Sequence, residues 1–212
     1  LEASIVATFV LGLYSTLRLR SKLHGLSGIA LGSIALLIAY SYLWSLNVNN
    51  AWAPPKDAWA ADAPFFLIVL GAVLATIAMW WGYKGLVKGH KARMVTGATL
   101  ATLIILVTFI GQIVQLSTFP FDIQDGAYAS SVFWLCIGAA IHLFMVLFFT
   151  MAIVFRTKAD RITSDNPYHA RLVSMWMTYV CIIMLIGALF TLVMKDSPNT
   201  NAPTFGTFTT QK

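Results

Sequence analysis

Hydrophobic residues of this 212-residue chain fall into six long runs that are separated by short polar linkers. A helix of about 20 apolar residues crosses a bilayer core that is about 30 Å thick. The runs are continuous rather than alternating, and backbone in lipid must pair its own polar groups, so helices are favoured over a barrel. The predicted spans are 1–17, 25–46, 65–83, 94–116, 130–155 and 172–194. The pattern therefore predicts an all-α, polytopic transmembrane helix bundle.

The six predicted spans belong to one transmembrane domain, which we place at residues 1–195. Residues 196–212 are rich in Ser, Thr, Asn and Pro, and they are expected to form a polar external tail. The first run is short and begins at Leu1 rather than Met. We expect that a leader has been removed or that the numbering starts within a longer product.

Positive charge alternates between the linkers, and this alternation predicts the sidedness of the chain. Eleven of the fourteen Lys and Arg residues lie in the first, third and fifth linkers: Arg18, Arg20, Lys22, Lys84, Lys88, Lys91, Arg93, Arg156, Lys158, Arg161 and Arg171. Short cationic linkers stay on the cytoplasmic or matrix side of a membrane. The odd linkers are therefore expected inside, and both ends of the chain outside.

Composition supports a membrane protein and excludes several other classes. Hydrophobic residues make up 58% of the chain and charged residues 10%, and the mean hydropathy is +0.77. Soluble domains have about 45–50% apolar and about 25% charged residues. The net charge of +6 follows the linkers, so we expect no nucleic-acid partner. The sequence contains no phosphate-binding loop, zinc-ligand spacing or nucleophile elbow.

Few residues at membrane depth could carry chemistry. His142 is the one histidine within a predicted span, and no second histidine lies three or four residues away. We expect it to hydrogen-bond across a helix interface rather than to hold a metal. Gln112 and Gln115 lie one turn apart in the fourth span, and they are polar but uncharged. The two cysteines, Cys136 and Cys181, are expected to be small buried apolar residues.

Three cations and a tryptophan near the third linker form a candidate lipid site. Lys84, Lys91 and Arg93 could bind anionic head groups, with Trp81 at the membrane interface. The same cations also suffice as determinants of topology.

The outer linker after the fourth predicted span reads FPFDIQDGAYASS from Phe119 onward. It resembles a linker of subunit III of the haem–copper cytochrome oxidases. Seven residues match that family without a gap: Pro120, Phe121, Ile123, Asp125, Gly126, Tyr128 and Ser130. Gln112, His142 and Arg156 fall on further family positions in the same register. The resemblance covers nearly the whole chain, without the first helix of the seven-helix form.

The chain departs from the subunit III pattern at polar positions. Ala139 replaces the first histidine of a family motif that ends at His142. Thr178 and Cys181 stand where the last helix of the family has His and Asp, and Gln115 replaces a Glu. The scaffold is retained, whereas much of the polar interior is replaced.

The resemblance implies a non-catalytic accessory subunit of an aerobic respiratory oxidase. Such a subunit binds no haem or copper itself, packs against subunit I and subunit II, and holds phospholipids. The partners carry the haem and copper and reduce oxygen with electrons from cytochrome c or quinol. On this interpretation Gln112, Gln115, Asp125, His142 and Arg156 are structural polar positions. The membrane would be a bacterial or archaeal plasma membrane or the mitochondrial inner membrane.

Two alternatives remain open from the sequence. Relatives of subunit III also accompany nitric oxide reductases, and the replaced polar positions fit a divergent host. A stand-alone transporter or channel would need a polar pathway, for which the fourth span offers one stripe: Thr96, Thr99, Thr102, Thr108, Gln112 and Gln115.

Overall fold

A computed structural model describes residues 22–47, 50, 52 and 62–199, and within these residues the chain is helical, with no strand. The five helices are α1 (Lys22–Leu46), α2 (Asp62–Val87), α3 (Lys91–Ser117), α4 (Ala127–Lys158) and α5 (Tyr168–Val193). The all-α class is confirmed. The first predicted span, 1–17, and most of the predicted tail lie outside the described residues, so a bundle of six spans is not established.

Four of the helices are long and apolar enough to cross a membrane, by length and composition: Phe65–Val87, Lys91–Ser117, Ala127–Lys158 and Tyr168–Val193. In α1 the stretch Gly32–Leu46 is apolar but shorter. The helices start about one turn before the predicted apolar runs, because backbone hydrogen bonding continues through residues that hydropathy assigns to the linkers.

A tight turn folds α3 back against α2. Gly89 occupies this turn with φ +84°, and the N–H of His90 donates to the carbonyl of Gly85 at 2.9 Å. The two backbones then approach closely at Gly82 and Gly97. A Cβ at Gly97 would lie 2.7 Å from the carbonyl oxygen of Ala78. Small residues at such crossings permit the close packing that holds membrane helices together.

The chain divides into two compact units. One unit comprises Trp59–Phe119 and Cys136–Leu189, which include most of α2 to α5. In this unit α2 is bonded to α5: the indole N–H of Trp80 donates to the hydroxyl of Thr178 at 2.9 Å. The hydroxyl of Thr76 donates to the carbonyl of Ala72 at 2.7 Å, and its oxygen also lies 3.3 Å from the carbonyl oxygen of Met177.

The other unit contains α1, Pro120–Leu135 and the described residues from Phe190 onward. Its core is aromatic. The ring centroid of Trp52 lies 4.9 Å from that of Tyr40 and 5.5 Å from that of Tyr128, with the rings edge to face. Phe121 packs on Tyr128 at 6.1 Å, and all four side chains are buried.

Candidate functional site

Arg93 lies across the C-terminal end of α2 at the α2–α3 turn. Its guanidinium carbon is 4.4 Å from the centroid of the Trp81 ring, which is within the range of a cation–π interaction. Its aliphatic carbons cover Gly85, where an added Cβ would lie 2.5–2.8 Å from them. The bare backbone at Gly85 therefore makes room for the arginine stem, and the Trp81 ring orients its head.

Arg93 retains an unused hydrogen-bond donor. Its Nε is buried and has no hydrogen-bond partner within the part of the chain that the structure describes. Buried polar groups are rarely left unpaired, and an unmade bond to a charged group is costly. Trp81 beside it is 43% exposed. The arrangement is suited to an anionic group such as a phosphate.

An exposed stripe on α2 leads from apolar residues to this arginine. It repeats at intervals of three and four residues, so its members share one face of the helix. Its exposed members are Leu70, Leu74, Ile77, Trp81, Lys84 and Lys88. Along α2 the stripe presents apolar side chains first, then a tryptophan, and then positive charge.

Lys91 is partnered differently from Lys84 and Arg93. Its Nζ lies 2.6 Å from Oδ1 of Asp160, and this ion pair joins the α2–α3 turn to the linker between α4 and α5. Asp160 has φ +55°, a conformation that aspartate tolerates better than most residues. Arg156 is exposed in the last turn of α4. Of the sequence-predicted lipid site, the structure therefore brings together Trp81 and Arg93, with Lys84 one turn away.

His142 is buried on α4, with 6% of its surface exposed. Its Nδ1 lies 2.7 Å from the carbonyl oxygen of Gly138. A carbonyl only accepts hydrogen bonds, so Nδ1 carries a proton, and in the neutral imidazole Nε2 is then an acceptor. The hydroxyl of Tyr179 on α5 lies 3.5 Å from that Nε2. Within the described residues no group of three or more His, Cys, Asp or Glu side chains is placed to hold a metal ion.

Gln112 and Gln115 face the interior of the bundle, with 0% and 5% of their surfaces exposed. Nε2 of Gln112 donates to Oε1 of Gln115 at 3.2 Å. The side chain of Gln112 also contacts the thiol of Cys136 on α4. Cys136 is buried, Cys181 is half-buried, and both are free thiols. The glutamine pair thus places polar contacts inside the α3–α4 packing.

Asp125 shapes the linker between α3 and α4. Its Oδ2 accepts the backbone N–H of Asp122 at 2.7 Å, and its own N–H donates to the carbonyl of Asp122 at 3.0 Å. Gly126 follows with φ +129°, which side chains rarely adopt. Phe121 and Tyr128 on either side are 5% and 2% exposed. The residues that carry the sequence resemblance therefore form the turn and fill the aromatic core.

Sequence reasoning missed the contacts of residues 195–199. The indole N–H of Trp44 donates to the carbonyl of Asp196 at 2.7 Å. The indole N–H of Trp52 donates to the carbonyl of Lys195 at 2.9 Å. The hydroxyl of Ser197 donates to the carbonyl of Trp44 at 2.7 Å. Two features of the sequence could have indicated this contact. The last carbonyls of α1 need partners from outside the helix, and the Ser and Asn residues that follow α5 can supply donors.

No protein-family model matches the chain. Cytochrome c oxidase subunit 3 of Cyanidium caldarium is similar to it, with 22% identity over 174 residues. The aligned region covers 76% of this chain and 63% of that relative. The chain therefore spans less than two thirds of the length of the curated relative that it matches.

Proposed function

We propose that this chain, a divergent relative of subunit III of the haem–copper cytochrome oxidases, is a non-catalytic accessory subunit of a terminal oxidase. The similarity to cytochrome c oxidase subunit 3 carries the proposal. Subunits I and II of such a complex would be its partners. Oxygen reduction in aerobic respiration would belong to subunit I, in an energy-transducing membrane.

The internal contacts support a scaffold role. Phe121 and Tyr128, which match the family linker, are buried in an aromatic core. The intramembrane His142 is directed at a backbone carbonyl and at Tyr179. Thr102 and Thr108 donate to carbonyls of their own helix, which is the usual arrangement of threonines in membrane helices. These polar groups serve helix packing, so we assign no haem or copper to this chain and place both in the partner subunits.

The proposed topology has six spans in one transmembrane domain, residues 1–195, with the first span at 1–17. Lys84, Arg93 and Lys158 would lie on the cytoplasmic or matrix side, and Asp122 and Asp125 on the other side. Both ends of the chain would be outside. The charge of the described linkers supports this orientation.

We place a phospholipid on the exposed stripe of α2. Its phosphate would accept hydrogen bonds from the guanidinium of Arg93, which lies over the exposed ring of Trp81. The ammonium of Lys84 would add attraction, and Trp81 would lie at the level of the head group. An acyl chain would run along Leu74 and Ile77, which are 48% and 59% exposed.

Sustained turnover tests the accessory role. Membranes that lack this chain should reduce oxygen at first at the rate of membranes with the chain restored, and then lose that activity sooner. A selective loss of nitric oxide reduction would assign the chain to a nitric oxide reductase instead. If neither activity changes, the chain has no role in either complex, and the transporter interpretation takes precedence.

A further inference from the structure

The C-terminal end of α1 is completed by residues from the far end of the chain. A helix leaves its last four carbonyls without partners within the helix. Asn47, at φ +42°, donates its N–H to the carbonyl of Leu43 at 3.1 Å. Ser197 Oγ donates to the carbonyl of Trp44 at 2.7 Å, and Asn199 Nδ2 to that of Leu46 at 3.3 Å. Two of these carbonyls are therefore capped from about 150 positions later in the sequence.

The same segment, residues 195–199, receives hydrogen bonds in return, and we call it the C-terminal strap. Its carbonyl oxygens accept from three side chains of the α1 region. Trp44 Nε1 donates to Asp196 at 2.7 Å, Asn47 Nδ2 to Asn199 at 2.8 Å, and Trp52 Nε1 to Lys195 at 2.9 Å. The strap therefore both donates hydrogen bonds to the α1 region and accepts them from it, so each segment pairs polar groups of the other.

Trp52 connects the strap to the aromatic core. Its backbone N–H donates to Oδ1 of Asn47 at 3.0 Å, and its ring is wedged between Tyr40 and Tyr128. Phe190, in the last turn of α5 ahead of the strap, packs on Tyr40 at 6.3 Å. Departure of the strap would free the indole of Trp52 and leave two carbonyls of α1 uncapped.

We propose that the C-terminal strap is a latch that keeps the end of α1 and Trp52 seated on the aromatic core. When the strap is bound, the last turn of α1 is closed. When the strap leaves, the last turn of α1 frays and the aromatic core beneath it opens. The reason is that unpaired backbone groups and lost packing contacts lower the free energy needed for local unfolding. The strap detaches as one unit, so its hydrogen bonds depend on one another.

Hydrogen exchange of the full chain in its purified complex tests the latch. The readout is the exchange rate of backbone amides in residues 42–47, which reports local opening. Trp44→Phe removes the indole donor to Asp196, and Asn199→Ala removes the donor to Leu46. Each variant should raise the exchange rate of this segment roughly fivefold, the factor expected from one ordinary hydrogen bond. In the double variant the exchange rate should increase by less than the product of the two single increases.

Matched controls separate the latch from a general effect. Trp134→Phe changes an exposed tryptophan of α4, and Asn166→Ala changes an exposed asparagine between α4 and α5. Both should leave exchange at residues 42–47 unchanged. Ser197→Ala provides a third latch variant, with an increase expected similar to that of Asn199→Ala.

Three results would overturn the proposal. Unchanged exchange in Trp44→Phe, Asn199→Ala and Ser197→Ala would mean that the strap does not close α1. If the increase in exchange rate of the double variant equals the product of the increases of the two single variants, the hydrogen bonds are independent and do not form one latch. An equal rise throughout α2 to α5 would mean global destabilisation rather than local opening.

Discussion

The hydroxyl of Tyr179 on α5 faces Nε2 of His142 on α4 across 3.5 Å. The geometry assigns the imidazole tautomer, because the bond from Nδ1 to the carbonyl of Gly138 leaves Nε2 as an acceptor. His142 thus joins two helices. This role fits a subunit whose task is to hold a bundle together.

Tyr179→Phe should lower the free energy of unfolding in detergent micelles. The change keeps the ring but leaves Nε2 of His142 buried without its donor from α5. Side-chain hydrogen bonds between membrane helices contribute about 0.6 kcal/mol on average, and we expect a coupling energy of that size between Tyr179 and His142. A cycle of Tyr179→Phe, His142→Ala and the double variant measures it. Tyr42→Phe, at an exposed position, is the matched control, and strictly additive effects would contradict the pairing.

Gly97→Ala should destabilise the contact between α2 and α3. The added methyl would meet two backbone atoms, the carbonyl oxygen of Ala78 at 2.7 Å and Cα of Gly82 at 2.8 Å. Backbone cannot move aside as a flexible side chain does, so we expect a loss of about 1–3 kcal/mol in unfolding free energy. Gly111→Ala is the matched control, because no atom lies within 4 Å of its added Cβ. It should be neutral or stabilising by up to about 1 kcal/mol, and equal losses in both variants would refute the close approach.

Arg93→Ala should deplete anionic phospholipid from the purified complex. A hydrogen bond to a charged group contributes about 1.5–3 kcal/mol, so retention of the lipid should weaken roughly tenfold or more. Arg93→Lys should have an intermediate effect, since lysine keeps the charge but loses the planar fork that stacks on Trp81. Quantitative lipid mass spectrometry is the measurement.

Arg171→Ala is the control for this lipid prediction, because Arg171 is an exposed arginine on a different helix, α5. Its lipid content should equal that of the unmodified complex. If Arg93→Ala and Arg171→Ala retain the same amount of anionic lipid, Arg93 does not bind a head group.

Asp160→Asn should have a small effect that depends on salt. Asparagine tolerates the positive φ of this position, so the change removes the charge that faces Lys91. Exposed ion pairs contribute about 0–1 kcal/mol and are screened by salt. The difference in melting temperature from the unmodified chain should therefore disappear at high salt. The control Asp165→Asn should show no difference in melting temperature at low or high salt. A difference that persists at high salt would mean that Asp160 acts through something other than the ion pair.

Much of the fold could be predicted from the sequence, because a membrane fixes the length of an apolar helix. The predicted run 65–83 became Asp62–Val87, and the run 94–116 became Lys91–Ser117. The extra residues at the ends include Asp62, Lys84, Lys91 and Arg93. Their charge leads hydropathy to assign these positions to the linkers, although the helices continue through them.

The pairings of the site could not be predicted, because they depend on segments that are distant in sequence. Lys91 pairs with Asp160, which lies 69 positions later. Local spacing grouped Lys91 with Lys84 and Arg93 and gave no indication of this partner. The partner of His142 lies 37 positions away on another helix, beyond any search at helical spacing. The C-terminal strap likewise meets α1 about 150 positions earlier in the sequence, so the Ser and Asn residues after α5 do not by themselves identify their partner.

Purification through an affinity tag on this chain, in mild detergent, tests the central claim most directly. The preparation is examined by its reduced-minus-oxidised absorption spectrum and by mass spectrometry of the proteins that accompany the chain. The account predicts haem bands together with a haem-bearing oxidase subunit I. A colourless preparation that contains this chain alone would contradict it.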